Sequence, residues 1–217
     1  MIIFRLFFVL LMWGVGIVFL MLLVRAIVNS GNQLGSQQVQ DKLQKTLTNL
    51  ITGLVPFERD ERKELGRDFQ ETEVNKNFSY GYFSTIFKEP VLAFAKILTS
   101  KGGCQIMGET TEIKCELRFN GHQTAVYIGG KVYGKIDKNG ILTDTKKRAI
   151  VNLDCNSYPL YDVIKKDGKP AAYIEKKHEE GNKRFFTMFN SDIILSEEVL
   201  VIYILYYKLI KTKYNNA

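Results

Sequence analysis

Histidine, cysteine and proline are scarce in this chain, with two, three and four residues among 217. The histidines, His122 and His178, both fall in segments rich in turn-forming residues. They are expected in solvated loops, and they leave little from which to build an imidazole metal site or a catalytic dyad. Cys104, Cys115 and Cys155 are an odd count, too sparse for the disulfide framework of a small secreted scaffold, and their spacing fits no zinc pattern. Cys104 and Cys115 are placed to bridge the arms of a hairpin in an oxidising compartment, but three buried free thiols in a reducing one are the simpler account. HExxH, GxSxG, Walker A and GxGxxG are all missing. Gly129-Gly130-Lys131 lacks the upstream glycine and following helix of a phosphate loop, so a turn explains it. Asp137, Asp144 and Asp154 flank strand-like segments, and separate turn-forming roles are more usual for them than a shared cation. With no nucleophile paired to a base, an enzyme acting on lipid ranks last among the functional classes, and no cofactor is expected.

Charge of one sign is also short: 23 acidic residues face 30 basic ones, a formal +7. That balance favours anionic partners such as lipid headgroups, nucleic acid or acidic proteins, although the same charge spread over a solvated surface serves solubility. Along the sequence the basic residues form no compact cluster. Nucleic acid is disfavoured, because the aromatic residues mostly occupy strand or helix cores and do not line a basic stripe.

The abundance lies at the N-terminus. Leu6 to Val24 is a run of 19 residues without a charge, containing Trp13 and flanked by Arg5 and Arg25. At about 1.5 Å per residue a helix of this length matches a hydrocarbon core of about 30 Å. Its length, and an arginine where a signal-peptide cleavage site would lie, favour an uncleaved single-pass anchor. The flanking charges nearly balance, and the free thiols and basic surface lean the remaining domain towards the cytosol. Three regions are therefore expected: an anchor over 1–28, a linker with an amphipathic helix over 29–69, and a β-rich domain over 70–217. In the second, Val39, Leu43, Leu47, Leu50 and Leu54 stack on one side of a helix that Pro56 ends. Docking of that stripe on the chain's own domain is the expected arrangement. The mixed-sign stretch from Glu58 to Asp68 is expected in water.

Beyond about Phe78 the signals change to strands and tight turns. Asn120-Gly121, Gly129-Gly130, Asn139-Gly140 and Asp167-Gly168 can take the positive φ values of short hairpins. Around them, 113–119, 124–128, 131–136, 148–153, 161–166 and 171–177 have the length and β-branched or aromatic content of antiparallel strands. Residues 90–98 are ambiguous between strand and short helix. The fold class is mainly β, an antiparallel barrel or sandwich. It ends in a helix that Ser196 can cap and whose first turn carries Glu197 and Glu198. From Val199 through Ile202 and Leu205 to Tyr207 this helix is apolar on every side. Such a helix must be enclosed, and nine apolar residues are too few to span a bilayer, so a buried core helix is expected. Contact of Tyr203, Tyr206 and Tyr207 with a membrane interface is the second choice.

The order of elements in GKIDKNGILTDTKKRAIVNL, YPLYDVIKKDGKPAAYIEKK and FFTMFNSDIILSEEVLVIYILYY resembles the tubby-like C-terminal fold shared by tubby proteins and phospholipid scramblases. The resemblance covers about 90 residues and carries over no ligand-binding residue. What it implies is a barrel threaded by a helix, with a lipid-facing binding or scaffolding role. The expected function is that of a non-enzymatic, membrane-anchored protein whose β-rich domain binds lipid headgroups or a membrane partner. The alternative is an accessory subunit of a larger membrane complex, with the 39–54 stripe and the tyrosine-rich helix as contact surfaces.

Overall fold

A computed structural model describes residues 37–58, 62–99, 102–176 and 183–212. Leu6, Trp13 and Val24 of the expected anchor lie outside these residues, and so does His178. Among the described residues no helix is long and apolar enough to cross a membrane.

The leucine stripe forms a helix, α1, over 37–50, continued by a 3-10 turn, Ile51–Gly53. Leu43 and Leu47 on that stripe are fully buried. The chain divides into two compact units, Met1–Lys42 and Leu43–Ala217.

Twelve antiparallel strands follow one another in a single sheet, each paired with its neighbours in chain order. They are β1 Leu65–Asn75, β2 Phe78–Thr85, β3 Pro90–Leu98, β4 Cys104–Glu109, β5 Lys114–Phe119 and β6 Thr124–Ile128. The rest are β7 Lys131–Ile136, β8 Ile141–Asp144, β9 Ala149–Asp154, β10 Tyr161–Lys166, β11 Lys169–Glu175 and β12 Met188–Phe189. The first and last parts of the sheet also meet. Gly66 bridges Arg184, with backbone bonds from Arg67 N to Lys183 O at 2.7 Å and from Phe185 N to Leu65 O at 2.7 Å. The segment that joins β1 in this way continues into β12 on β11, so the meander closes into a barrel. The Arg67 guanidinium spans the same seam, donating to the Glu175 carboxylate at 3.1 Å and to its carbonyl at 2.9 Å. Closure removes the unpaired edges that a twelve-stranded open sheet would expose.

Helix α2, Glu197–Tyr206, ends in a π-helical turn, Tyr207–Lys211, and fills the barrel. Val199 to Tyr206 are all buried, as are Leu209 and Ile210, and the helix joins one core with Phe83, Phe94, Leu117, Ile136 and Ile164. Val199, Ile202 and Leu205 therefore lie in the core as expected, at 3%, 0% and 0% exposure. Tyr203 and Tyr206 are buried and Tyr207 is half-buried. The Tyr203 hydroxyl donates to the carbonyl of Gly140 at 2.9 Å, and the carbonyl of Val151 stands 3.2 Å away, which ties helix to wall. Ser196 occupies the N-cap position in extended conformation, but its side chain makes no capping bond. Glu197 instead accepts from Arg62 at 3.0 Å and from Thr110 at 3.1 Å, anchoring the first turn to the barrel.

Of three other readings, one is resolved, one changes and one holds in part. The ambiguous 90–98 segment is β3, and Ala93 and Ala95, on the face opposite Leu92 and Phe94, are fully buried as well. A strand buried on both faces reads as a continuous apolar run without alternation, which is why periodicity does not decide it. The mixed-sign stretch expected in water enters β1 at Leu65, and Arg62 and Arg67 in it form ion pairs with Glu197 and Glu175. The cysteines are all free; Cys104 and Cys115 are buried and Cys155 is half-buried. Cys104 pairs across the β4–β5 ladder with Phe119, and Cys115 with Gly108, so the two thiols do not oppose each other.

Candidate functional sites at the two ends of the barrel

In a closed antiparallel meander every second turn lies at the same end. The β2–β3, β4–β5, β6–β7, β8–β9 and β10–β11 turns share the end where α2 begins, as the contact of Thr110 with Glu197 shows. Strands are about 4.8 Å apart, so successive turns on this rim are separated by about 10 Å. Three consecutive ones carry Lys131, then Lys146, Lys147 and Arg148, then Lys166 and Lys169, against only Asp144 and Asp167. All these cations are exposed except Lys166, which is half-buried. Asp144 is committed locally, accepting from the backbone of Lys146 and Arg148 and pairing with the Arg148 guanidinium. Those bonds, the backbone N–H of Arg148 first, hold its carboxyl below the usual carboxylate range. The turns themselves are glycine chemistry: Gly129 and Gly130 both have positive φ, as do Asp167 and Gly168, the signature of two-residue hairpins.

Exposed apolar side chains sit on the same rim. Val132 is 59% exposed, Phe87 69% and Ile194 67%. Lys166 Nζ donates to the carbonyl of Ile194 at 3.1 Å, placing charge and apolar side chain together. Beside Ile194 a notch of about 250 Å³ is lined by Phe189, Ile193, Leu195 and Leu200, with Arg62 and Lys63 at its side. Sequence reasoning found no basic cluster because these residues are up to 38 positions apart in the chain, and only the barrel gathers them.

The opposite end, where α2 finishes, holds a polar cavity of about 720 Å³. Its floor is Asp162, 3% exposed at the start of β10. Asp162 Oδ2 accepts from the Tyr207 hydroxyl at 3.0 Å and from the Lys211 ammonium. Asp162 Oδ1 is buried and accepts no hydrogen bond; the Lys176 ammonium stands 3.6 Å from it. Lys176 is held in place by the carbonyls of Cys155 at 2.5 Å and Tyr158 at 2.8 Å. Burial, followed by the adjacent Asp162 carboxylate, pushes the Tyr207 phenol upward, so it remains a donor. Burial also raises the Cys155 thiol on the cavity wall, although Lys211 works against it. Asn139, Asn152 and Asn156 also line the space, as does the exposed Lys138.

The three aspartates that sequence analysis singled out do not converge on a cation. Asp137, Asp144 and Asp154 each accept from backbone N–H groups of their own turns. Among the described residues no group of three metal-ligating side chains occurs. His122 is exposed in the β5–β6 turn. Asp162, the centre of the cavity, is hidden from sequence reasoning inside the strand YDVIKK, where a buried carboxylate looks like an outward-facing one.

The fold and its two ends thus define a closed antiparallel barrel with a central helix, one basic and apolar rim, and one polar cavity. Comparison with known protein families, curated proteins and solved structures finds no match.

Proposed function

We propose that this chain is a non-enzymatic membrane-anchored protein whose barrel meets an anionic lipid surface through the rim formed by the β6–β7, β8–β9 and β10–β11 turns. The observation that carries the reading is the gathering on these three turns of six cations against two acids, with Val132 exposed beside the β6–β7 turn and Ile194 exposed beside Lys166. Each basic residue near an anionic leaflet contributes about 1 kcal/mol, and exposed apolar side chains can enter the headgroup boundary. The apolar run from Leu6 to Val24 is read as the anchor that keeps the barrel close to the bilayer. The tubby-like reading rests on the order of elements, antiparallel strands in chain order followed by a buried helix. Burial of the tyrosine-rich helix weakens the alternative of a complex subunit, which needed that helix as a contact surface.

The test uses the full chain in lipid nanodiscs. Backbone hydrogen exchange of 129–132, 145–148 and 166–169 is expected to slow when the bilayer is anionic, and the protection is expected to fade as salt shortens the Debye length. Equal exchange in anionic and zwitterionic bilayers would overturn the rim as the lipid-facing surface. Extraction of the full chain by alkaline carbonate would overturn the anchor.

A further inference from the structure

The notch beside Ile194 is apolar inside and edged by charge of one sign. Phe189, Ile193, Leu195 and Leu200 line it, and Ile194 next to them is 67% exposed. Apolar surface left in water favours any chain that covers it. The charged residues of the lining are Arg62 and Lys63, and among the described residues no acid lines it. Arg62 is held in place, Nε donating to the carbonyl of Phe57 at 3.3 Å and Nη2 to Glu197 at 3.0 Å. Its Nη1 makes no hydrogen bond among the described residues, so a guanidinium already positioned keeps donors to offer. Lys63 is exposed, and Lys166 brings a third cation to the carbonyl of Ile194 at 3.1 Å. Against these three stand Glu197, paired with Arg62, and the exposed Asp192, which leaves a positive balance.

Size and hydrogen bonding narrow the occupant. A volume of about 250 Å³ lies just below the range of small-molecule sites, about 300–1,000 Å³, which gives room for one short hydrocarbon chain and not for the paired chains of a bilayer lipid. A peptide would bring backbone groups that need partners, but the segment beside the notch spends its own internally. Asn190 N donates to Ala171 O at 2.9 Å, Asp192 N to Asn190 Oδ1 at 3.0 Å and Ile193 N to Asn190 O at 3.4 Å, while Ile194 O accepts from Lys166. An alkyl chain has no such groups to satisfy.

We infer that this notch binds a single-chain amphiphile with one anionic head, of the fatty-acid class. The chain lies among Phe189, Ile193, Leu195 and Leu200, and the head accepts from Arg62 and Lys63. This goes beyond the proposed function and does not depend on the rim facing a bilayer.

The test is calorimetry of the full chain in zwitterionic nanodiscs, with empty nanodiscs as the reference and backbone exchange of 189–195 as the local readout. The probes are straight-chain alkanoates from butanoate to decanoate, octan-1-ol and octylammonium. Octanoate is expected to bind saturably and to slow exchange of 189–195. Each added methylene should tighten binding about fourfold until the notch is full, after which affinity levels off. Octan-1-ol is expected to bind about tenfold more weakly than octanoate, and octylammonium more weakly still. Lys63→Gln and Ser191→Trp change exposed positions outside the core. The first should weaken octanoate about three- to fivefold and leave octan-1-ol unchanged, and the second should abolish both by filling the notch. No saturable octanoate binding at about 10 mM, or an affinity that keeps rising with chain length as partition into the bilayer does, would overturn the site. Equal affinity for octanoate and octan-1-ol would overturn the anionic class. Slowed exchange of 189–195 in phosphatidylglycerol nanodiscs with no response to octanoate would assign the notch to a bilayer lipid and overturn the single-chain ligand. Because the probes are read in zwitterionic nanodiscs, their failure is distinct from failure of the anionic-bilayer test of the rim.

Discussion

Lys208 lies on the π-helical turn inside the barrel, with its ammonium 5.5 Å from the centre of the Phe185 ring and 6.0 Å from that of Phe69. Burial, with Arg67 adding like-charge repulsion, lowers it from 10.5 to about 8. The unfolded chain holds this proton until about pH 10.5, so between the two values the unfolded state binds more protons and the contribution of Lys208 to stability rises with pH. Below about pH 8 its penalty is constant, on the order of 3 kcal/mol, offset in part by the ring contacts. Lys208→Met is therefore expected to stabilise the protein by about 1–3 kcal/mol at pH 7, with the gain shrinking towards pH 10. Thermal unfolding of parent and variant in mild detergent from pH 7 to 10 checks this. The difference between them isolates Lys208, since burial raises Tyr203, Tyr207 and Cys115 in both, and their stabilising effect is lost only as the medium becomes alkaline. A gain that does not shrink with pH would show that the ammonium is solvated in the native state.

At the scale of the element, α2 is the part whose removal would leave the barrel empty. Ile202 is fully buried on it, and Ile202→Asp is expected to cost about 4 kcal/mol or more by enclosing an unpaired charge. Helix and wall approach closely at Gly108 of β4, where a Cβ would stand 2.5 Å from Leu205 Cδ1. Gly108→Ala is expected to cost about 1–3 kcal/mol by overpacking, and Leu205→Ala about 2–5 kcal/mol by leaving a cavity. The double variant should lose less than the sum, by about 1 kcal/mol, because the added methyl enters the vacated space. An additive double-mutant cycle in thermal unfolding would show that the two residues do not press on each other. The same element was the most legible in the sequence, since a run of nine residues apolar on all sides is too short to span a bilayer and favours an enclosed helix. The turns were legible too, because positive φ at Gly121, Gly130, Gly140 and Gly168 is a local demand that glycine announces. β1 was not, because Arg67, Asp68, Glu71 and Glu73 give it the composition of a solvated loop; its place depends on Glu175 across the seam and on Lys96 of β3, which meets Glu71 at 2.6 Å. The two-residue β12 is too short to announce itself, and the six-residue β4, CQIMGE, has little of the β-branched or aromatic content that marks a strand.

At the scale of the whole molecule, the barrel converts a dispersed sequence feature into a surface. A formal +7 without a cluster predicts only a diffuse attraction, but alternate turns of a meander return to one rim whatever their separation in the chain. The cavity follows from the same geometry, because a helix that ends inside a barrel leaves its last turn facing the strand starts at the other end, where Asp162 and Lys211 meet. Lys146, Lys147 and Lys169 are exposed, lie outside the core and make no side-chain ion pair among the described residues, so changing all three to Glu is expected to leave the melting temperature of the full chain within a few degrees of the parent. In anionic nanodiscs the same variant is expected to lose the slowed exchange of the three turns, because about 1 kcal/mol per basic residue becomes repulsion of similar size at each position. If exchange at the turns stayed slow, the rim would be protected by something other than anionic lipid, and the proposed face would have to be sought elsewhere on the barrel.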